Sequence, residues 1–267
     1  MDKRPIGVFD SGYGGLTVVR ALRRLLPEED IVFFADTGRA PYGCRPVPQL
    51  RRMARQNLDL ILGFDVKIIL AACGTISCNA PDLLQSCPVP CFGVLDAPVK
   101  AIAAARESGP IGLIATEATV RSGAFARALE GACPERPCVS VACPDFVPLI
   151  ESGHYAADDP AVKEAVARYL APLAEKDVQT LLLGCTHYGL IAEAIRNYMG
   201  EGVDLVDASE CASLAVSETL RRGGLCGGSG KLRCLTSGDP DIFASHLPFF
   251  LGEQTLPEIL RSPIMEV

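Results

Sequence analysis

The chain has 267 residues, 49% hydrophobic and 21% charged, with 25 Gly and 20 Pro, enough for one large α/β domain or two of about 100–150 residues and unlike disordered or fibrous chains. Lys and Arg total 25 against 32 Asp and Glu, a net charge of −7 with no basic run, which argues against nucleic acid as a partner, because phosphate binding needs clustered cations. No apolar stretch reaches the roughly 18 residues of a membrane span and no signal peptide is recognisable, so no membrane association is expected, and the 12 Cys read as reduced thiols of a cytoplasmic protein.

In chain order, short runs of Val, Ile, Leu and Phe predict strands over Ile6–Asp10, Ile31–Ala35, Lys67–Ala72, Ile111–Ala115, Cys138–Ala142, Thr180–Leu183, Asp204–Val206 and Leu232–Leu235. Helical periods fall between them. Leu16, Val19, Leu22 and Leu26 mark one helix face, and Val162, Ala165, Val166, Tyr169, Leu170 and Leu173 mark another, opened by Asp159 as cap and Pro160 in the first turn. Strands alternating with helices predict an α/β fold with mostly parallel sheets.

In such folds the reactive loops follow the carboxyl ends of the strands. Here those positions hold Asp10, Ser11, Gly12, Tyr13, Gly14 and Gly15; Asp36 and Thr37; Cys73, Gly74 and Thr75; Thr116 and Thr119; Asp145 to Glu151; and Cys185, Thr186 and His187. An internal echo runs through them. Ile6–Phe9 resembles Ile111–Ile114 at an offset of 105 residues, and the segment ending Ala-Cys-Gly-Thr at 75 resembles the one ending Gly-Cys-Thr at 186, with Cys73 and Cys185 112 residues apart. A duplicated half with one strand-end Cys in each copy accounts for this, as does chance likeness between βα units.

Two thiols facing one cleft suit proton transfer on and off a carbon from opposite sides, one as thiolate acceptor and the other as thiol donor. A single Cys after a strand is more simply a small buried hydrophobe, and the other ten Cys, Cys44 included, are read that way. Cys73 and Cys185 stand apart because each precedes a Thr or Gly-Thr at the same place in its half. Asp10 reads either as a cap of the following helix or as a manager of the Cys73 proton. The Ser11 to Gly15 loop reads either as a tight turn or as a cradle of bare amides for an anion. His187 lies two residues from Cys185, whereas His154 and His246 are expected on the surface or satisfied in the core. The Cys spacings fit no Cys-x-x-Cys pattern and the His form no ligand pairs with them, so no metal site is expected.

Asp10-Ser11-Gly12 with Gly14-Gly15, Asp36-Thr37 leading to Pro41-Tyr42-Gly43, Ala72-Cys73 with Thr75, Thr116 with Thr119, Glu151, and Gly184-Cys185-Thr186-His187-Tyr188 together resemble the glutamate racemases of the aspartate/glutamate racemase superfamily, over residues 6 to about 250. The resemblance implies two similar Rossmann-like lobes with the active site in the cleft between them, residues 1–96 plus 209–267 forming the first and 97–208 the second. It implies a cofactor-independent interconversion of L- and D-glutamate that supplies D-glutamate for peptidoglycan. Cys73 would take the α-proton from D-glutamate and Cys185 from L-glutamate. Asp10 would assist Cys73, His187 and Glu151 would assist Cys185, and Asp36 is a further candidate. Asp10, Ser11, Tyr42, Gly43, Gly74, Thr75, Thr116, Thr119, Thr186 and His187 would hold the substrate.

Homodimers are common in the family. The residues after the two cysteines depart from its pattern: Gly74 stands where Asn is usual, removing a side-chain amide worth on the order of 1 kcal/mol of substrate contact, and Gly189 stands where Pro is usual. The first departure keeps open a racemase for aspartate or another amino acid; a non-catalytic amino-acid binder that keeps the fold is a separate alternative, although a binder needs neither thiol.

Overall fold

The computed structural model describes residues 1–105, 107–252 and 257–262. Ten strands among them form two sheets: β1 (Ile6–Asp10), β2 (Ile31–Ala35), β3 (Ile68–Ala71), β4 (Cys91–Gly93), β5 (Ile111–Ala115), β6 (Cys138–Ala142), β7 (Thr180–Leu183), β8 (Asp204–Asp207), β9 (Leu232–Thr236) and β10 (Glu258–Arg261). The first sheet runs β10-β9-β2-β1-β3-β4 and the second β6-β5-β7-β8, and every pairing is parallel. Helices cover both faces, so β1, β2, β3, β5 and β7 are buried throughout. This is why they read as unbroken apolar runs rather than alternating ones.

The echo in the sequence reappears as topology. The order β2-β1-β3-β4 matches β6-β5-β7-β8 strand for strand, and the registers agree, with Ile6 opposite Ile68 in one half and Ile111 opposite Thr180 in the other. Cys73 and Cys185 each lie two residues beyond the end of the equivalent strand. The helix Gly15–Leu25 turns Leu16, Val18, Val19 and Leu22 inward, and the helix Pro160–Ala174 begins at Asp159, whose carboxylate accepts the Ala161 N–H at 2.8 Å.

Two strands escaped the sequence reading. β4 is a half-buried run of three residues just after Pro88 and Pro90, too short to show a period. β10 is an exposed edge strand that starts and ends on charged residues. One apolar core is continuous between the halves: Val18 and Leu22 join Ala212 and Val216 of the helix Ala208–Arg222, and Val99 and Ile102 of the helix Asp96–Ala104, in the same cluster as Ile114, Leu182 and Phe146.

Lys67, expected within β3, is instead a buried cation at the foot of the sheet. Its Nζ lies 2.5 Å from Glu29 Oε2, both side chains being 1–2% exposed, and donates to the carbonyls of Asp2 (2.7 Å), Leu225 (3.0 Å) and Gly227 (3.3 Å). Glu29 Oε1 accepts the Gly227 N–H at 2.8 Å. Lys67→Met strands a buried carboxylate and is expected to lower unfolding free energy by about 3–5 kcal/mol, measured as the denaturant midpoint; the double replacement with Glu29→Met is expected to recover part of that loss.

Candidate active site

The strand ends of both halves open onto one cleft of about 460 Å³. Its lining contains Asp10, Ser11, Tyr42, Gly43, Cys73, Gly74, Thr75, Thr116, Thr119, Glu151, Cys185, Thr186 and His187, so the structure gathers every site residue in the reading except Asp36. Among the described residues no Lys or Arg lines the cleft. An anion there would meet loop N–H groups and hydroxyls rather than a cationic side chain.

The loop after β1 is drawn tight by Asp10, whose Oδ2 accepts the N–H of Gly15 at 2.8 Å and of Gly12 at 3.3 Å. Burial raises this carboxyl above its usual range, against the opposing pull of His187 and those N–H groups. Gly14 is required by contact: a Cβ there would fall 2.3 Å from His187 Nδ1 and 2.5 Å from Thr186 Oγ1. Its absence lets the glycine loop of one half lie directly on the cysteine loop of the other. Thr17, one turn into the next helix, has its Oγ1 3.0 Å from the Thr186 carbonyl and 3.3 Å from Ser209 Oγ.

The two thiols sit in different electrostatic settings. Cys73 is 4% exposed and donates to Ser11 Oγ at 3.4 Å; burial, aided by the charge of Asp10, pushes it up to about 12. Cys185 Sγ lies 3.8 Å from His187 Nδ1, and His187 Nε2 lies 2.9 Å from Glu151 Oε1. Burial opposes a charge on His187, but its hydrogen bonds to Cys185 and Glu151 outweigh burial and hold the imidazole at about 10. At neutral pH Cys73 is therefore a thiol, whereas Cys185 faces an imidazolium. The electrostatic influence of Cys185 reaches Cys73 across the cleft.

Hydroxyls close the remaining wall. Thr75 Oγ1 is 3.1 Å from Thr116 Oγ1, which is 2.9 Å from Thr119 Oγ1, and the Gly43 carbonyl accepts the Ala118 N–H at 3.0 Å. The Thr75–Thr116 and Gly43–Ala118 contacts join the two halves. Tyr42 also lines the cleft, and its hydroxyl donates to Asp36 and accepts from Asn57 Nδ2 at 3.2 Å. Asp36 is fully buried behind it and also accepts from Arg39 Nε and Ser237 Oγ, each at 2.7 Å. The structure thus makes Asp36 the anchor of Tyr42 and the Arg39 loop, correcting its reading as a residue facing the cleft.

Cys44 is also corrected. It is exposed and lines the cleft instead of being a buried hydrophobe, and its place directly after Tyr42-Gly43 is the signal in the sequence. Tyr13, Thr37, Glu117, Pro144, Val147 and Pro148 also line the cleft. The apolar members lie in the helical stretch after β6, where apolar side chains read equally well as core.

The structure gives a steric reason for Gly74. A Cβ there would stand 2.6 Å from the Gly184 carbonyl oxygen, a backbone atom that no side-chain adjustment can move, so the two cysteine loops meet glycine to glycine. Gly74→Asn is therefore expected to overpack the junction by about 1–3 kcal/mol and to lower kcat/KM by roughly tenfold or more, rather than to improve activity; kcat/KM and the thermal midpoint measured together check this. At Gly189 the space for a Cβ is taken by Asp207, 2.3 Å from Oδ2.

A model of the Asp/Glu/Hydantoin racemase family matches residues 14–215. A glutamate racemase of Thermus thermophilus is 44% identical over 255 residues, covering 94% of each chain. Among solved structures, a glutamate racemase of Bacillus anthracis superposes with a TM-score of 0.92 at 30% identity, covering 99% of both chains. One from Francisella tularensis, in complex with D-glutamate, gives 0.89 at 34% identity, covering 99% of this chain and 98% of that one.

Proposed function

The chain belongs to the Asp/Glu/Hydantoin racemase family, and from that premise we propose that it is a glutamate racemase, an isomerase that moves the α-hydrogen of glutamate between two thiols without a cofactor and supplies D-glutamate for peptidoglycan. The observation that carries this reading is the pair Cys73 and Cys185, placed identically in two matching sheets and lining one cleft. In this reading residues 1–96 and 209–267 form one lobe and 97–208 the other.

With L-glutamate bound, the Cys185 thiolate takes the α-proton and Cys73 delivers its own from the opposite face. The product is D-glutamate, with Cys185 left as thiol and Cys73 as thiolate. The reverse pair of transfers converts D to L. Negative charge developing on the substrate carboxylate is met by N–H groups of the loops at Ser11, Gly43, Gly74 and Thr186 and by the threonine hydroxyls, fixed in place beforehand in a site largely shielded from water. Asp10 manages the proton of Cys73, while His187 balances the charge on Cys185 and Glu151 holds His187. These donors can bind a net-negative amino acid despite the overall charge, because nearby dipoles outweigh screened distant charges.

No described helix is long and apolar enough to cross a membrane. The reading extends to a cytoplasmic enzyme acting on free glutamate and to a homodimer, checked by sedimentation. The central test is incubation with L-glutamate in deuterated water without added pyridoxal phosphate or metal. Loss of optical rotation together with α-deuteration is the expected result. Exchange with neither enantiomer, or faster turnover of L-aspartate, overturns the reading.

A further inference from the structure

The helix Pro240–Leu251 follows β9 of the first sheet, yet it touches the proton relay on the far side of the cleft. His246 Nε2 lies 3.3 Å from the backbone carbonyl of Glu151, and its Nδ1 lies 2.8 Å from the Ile242 carbonyl within its own helix. The imidazole is stacked on Tyr13 of the glycine loop, with ring centroids 4.2 Å apart and 16° between planes. One turn on, Phe250 meets the edge of His187 at 5.8 Å.

Glu151 is the last residue of the helix Phe146–Glu151. The final carbonyls of a helix have no partner within it, and His246 supplies one from the other half in the tautomer that carries its proton on Nε2, with Nδ1 then accepting from the Ser245 hydroxyl at 3.3 Å. The same residue carries the carboxylate that holds His187 at 2.9 Å. A shift of this helix end would move the carboxylate, then the imidazole, then the charge facing Cys185. On the other side of the cleft, Cys73 has Ser11 and Asp10 as neighbours, and neither is bonded to residue 246.

We propose that His246 is a positioning residue which, by fixing the end of the Glu151 helix from the opposite half, keeps the relay of Glu151 and His187 in register with Cys185, and so governs proton transfer at Cys185 but not at Cys73. This rests on the two-thiol reading given above. Rates alone cannot test it: mirror-image substrates have an equilibrium constant of one, so slowing either transfer lowers kcat/KM equally in both directions. Isotope effects separate the two transfers.

In His246→Phe the ring can still stack on Tyr13 while the N–H donor is lost. This variant is expected to lose roughly ten- to hundredfold in kcat/KM. The primary effect with α-deuterated L-glutamate should rise, because Cys185 abstraction becomes limiting. The effect with α-deuterated D-glutamate should fall, because reprotonation by Cys185 then limits after Cys73 has already acted. His246→Gln, which restores an N–H donor, is expected to return both effects toward those of the unmodified protein. Effects that move together or stay unchanged in an active, folded His246→Phe protein overturn the proposal. Absence of racemisation in the unmodified protein overturns the two-thiol reading, and this proposal with it.

Discussion

Cys73→Ala is expected to lose racemisation by at least about 10²-fold while continuing to exchange the α-hydrogen of L-glutamate with solvent. The surviving sulfur, Cys185, keeps its imidazolium partner 3.8 Å away and can still remove the proton from the L face. With no thiol on the other side, the proton returns to the face it left, and deuterium enters without inversion. Cys185→Ala is the mirror case, exchanging only D-glutamate. Its exchange should be slower at neutral pH, because burial and Asp10 push Cys73 up to about 12 and leave little thiolate. Proton NMR in deuterated water, combined with optical rotation, separates exchange from inversion. Single variants that racemise at the original rate would remove both sulfurs from the mechanism.

For His187→Gln the expected loss in kcat/KM is about 10²-fold or more, together with a changed pH dependence of stability. In the folded protein His187 is raised from 6.5 to about 10, its bonds to Cys185 and Glu151 prevailing over burial. A raised pKa means that the folded state holds the proton more tightly than the unfolded chain. The stabilisation is therefore complete below pH 6.5 and is lost as pH rises through about 10. Thermal midpoints of the unmodified protein should decline across that window, and those of the Gln variant should decline less. The rise for Cys73, from 9.0 to about 12, has the same sign and acts at higher pH, below 9.0 in full and lost through about 12. It should therefore persist in both proteins, and an identical pH–stability curve for the two would show that the imidazole is not held as a cation.

The central strands and the residues that follow them were legible because a parallel sheet covered on both faces leaves apolar runs of four to six residues, and its loops must open at one end. That logic brought Asp10, Cys73, Thr116 and Cys185 to a common cleft before any geometry was known. The limits were equally physical. β4 and β10 have too few buried positions to make a pattern. Strand-end placement assigned Asp36 to the cleft, although Tyr42 and Arg39 enclose it. The absence of room at Gly74 depends on the Gly184 carbonyl, a contact between segments about 110 residues apart that composition and spacing do not encode. His246 was read as a bystander for the same reason: its partner belongs to the other half.

The strand-for-strand match between β2-β1-β3-β4 and β6-β5-β7-β8 bears on how such an enzyme can arise. An ancestor of half this length would have carried a single sulfur per polypeptide, enough to swap a hydrogen but not to overturn a stereocentre, which requires two copies face to face. Fusion in tandem would make that encounter permanent and free each copy to drift. Here one half surrounds its sulfur with a carboxylate and a serine and the other with an imidazole, so two sheets of the same strand order handle mirror-image molecules with unlike tools.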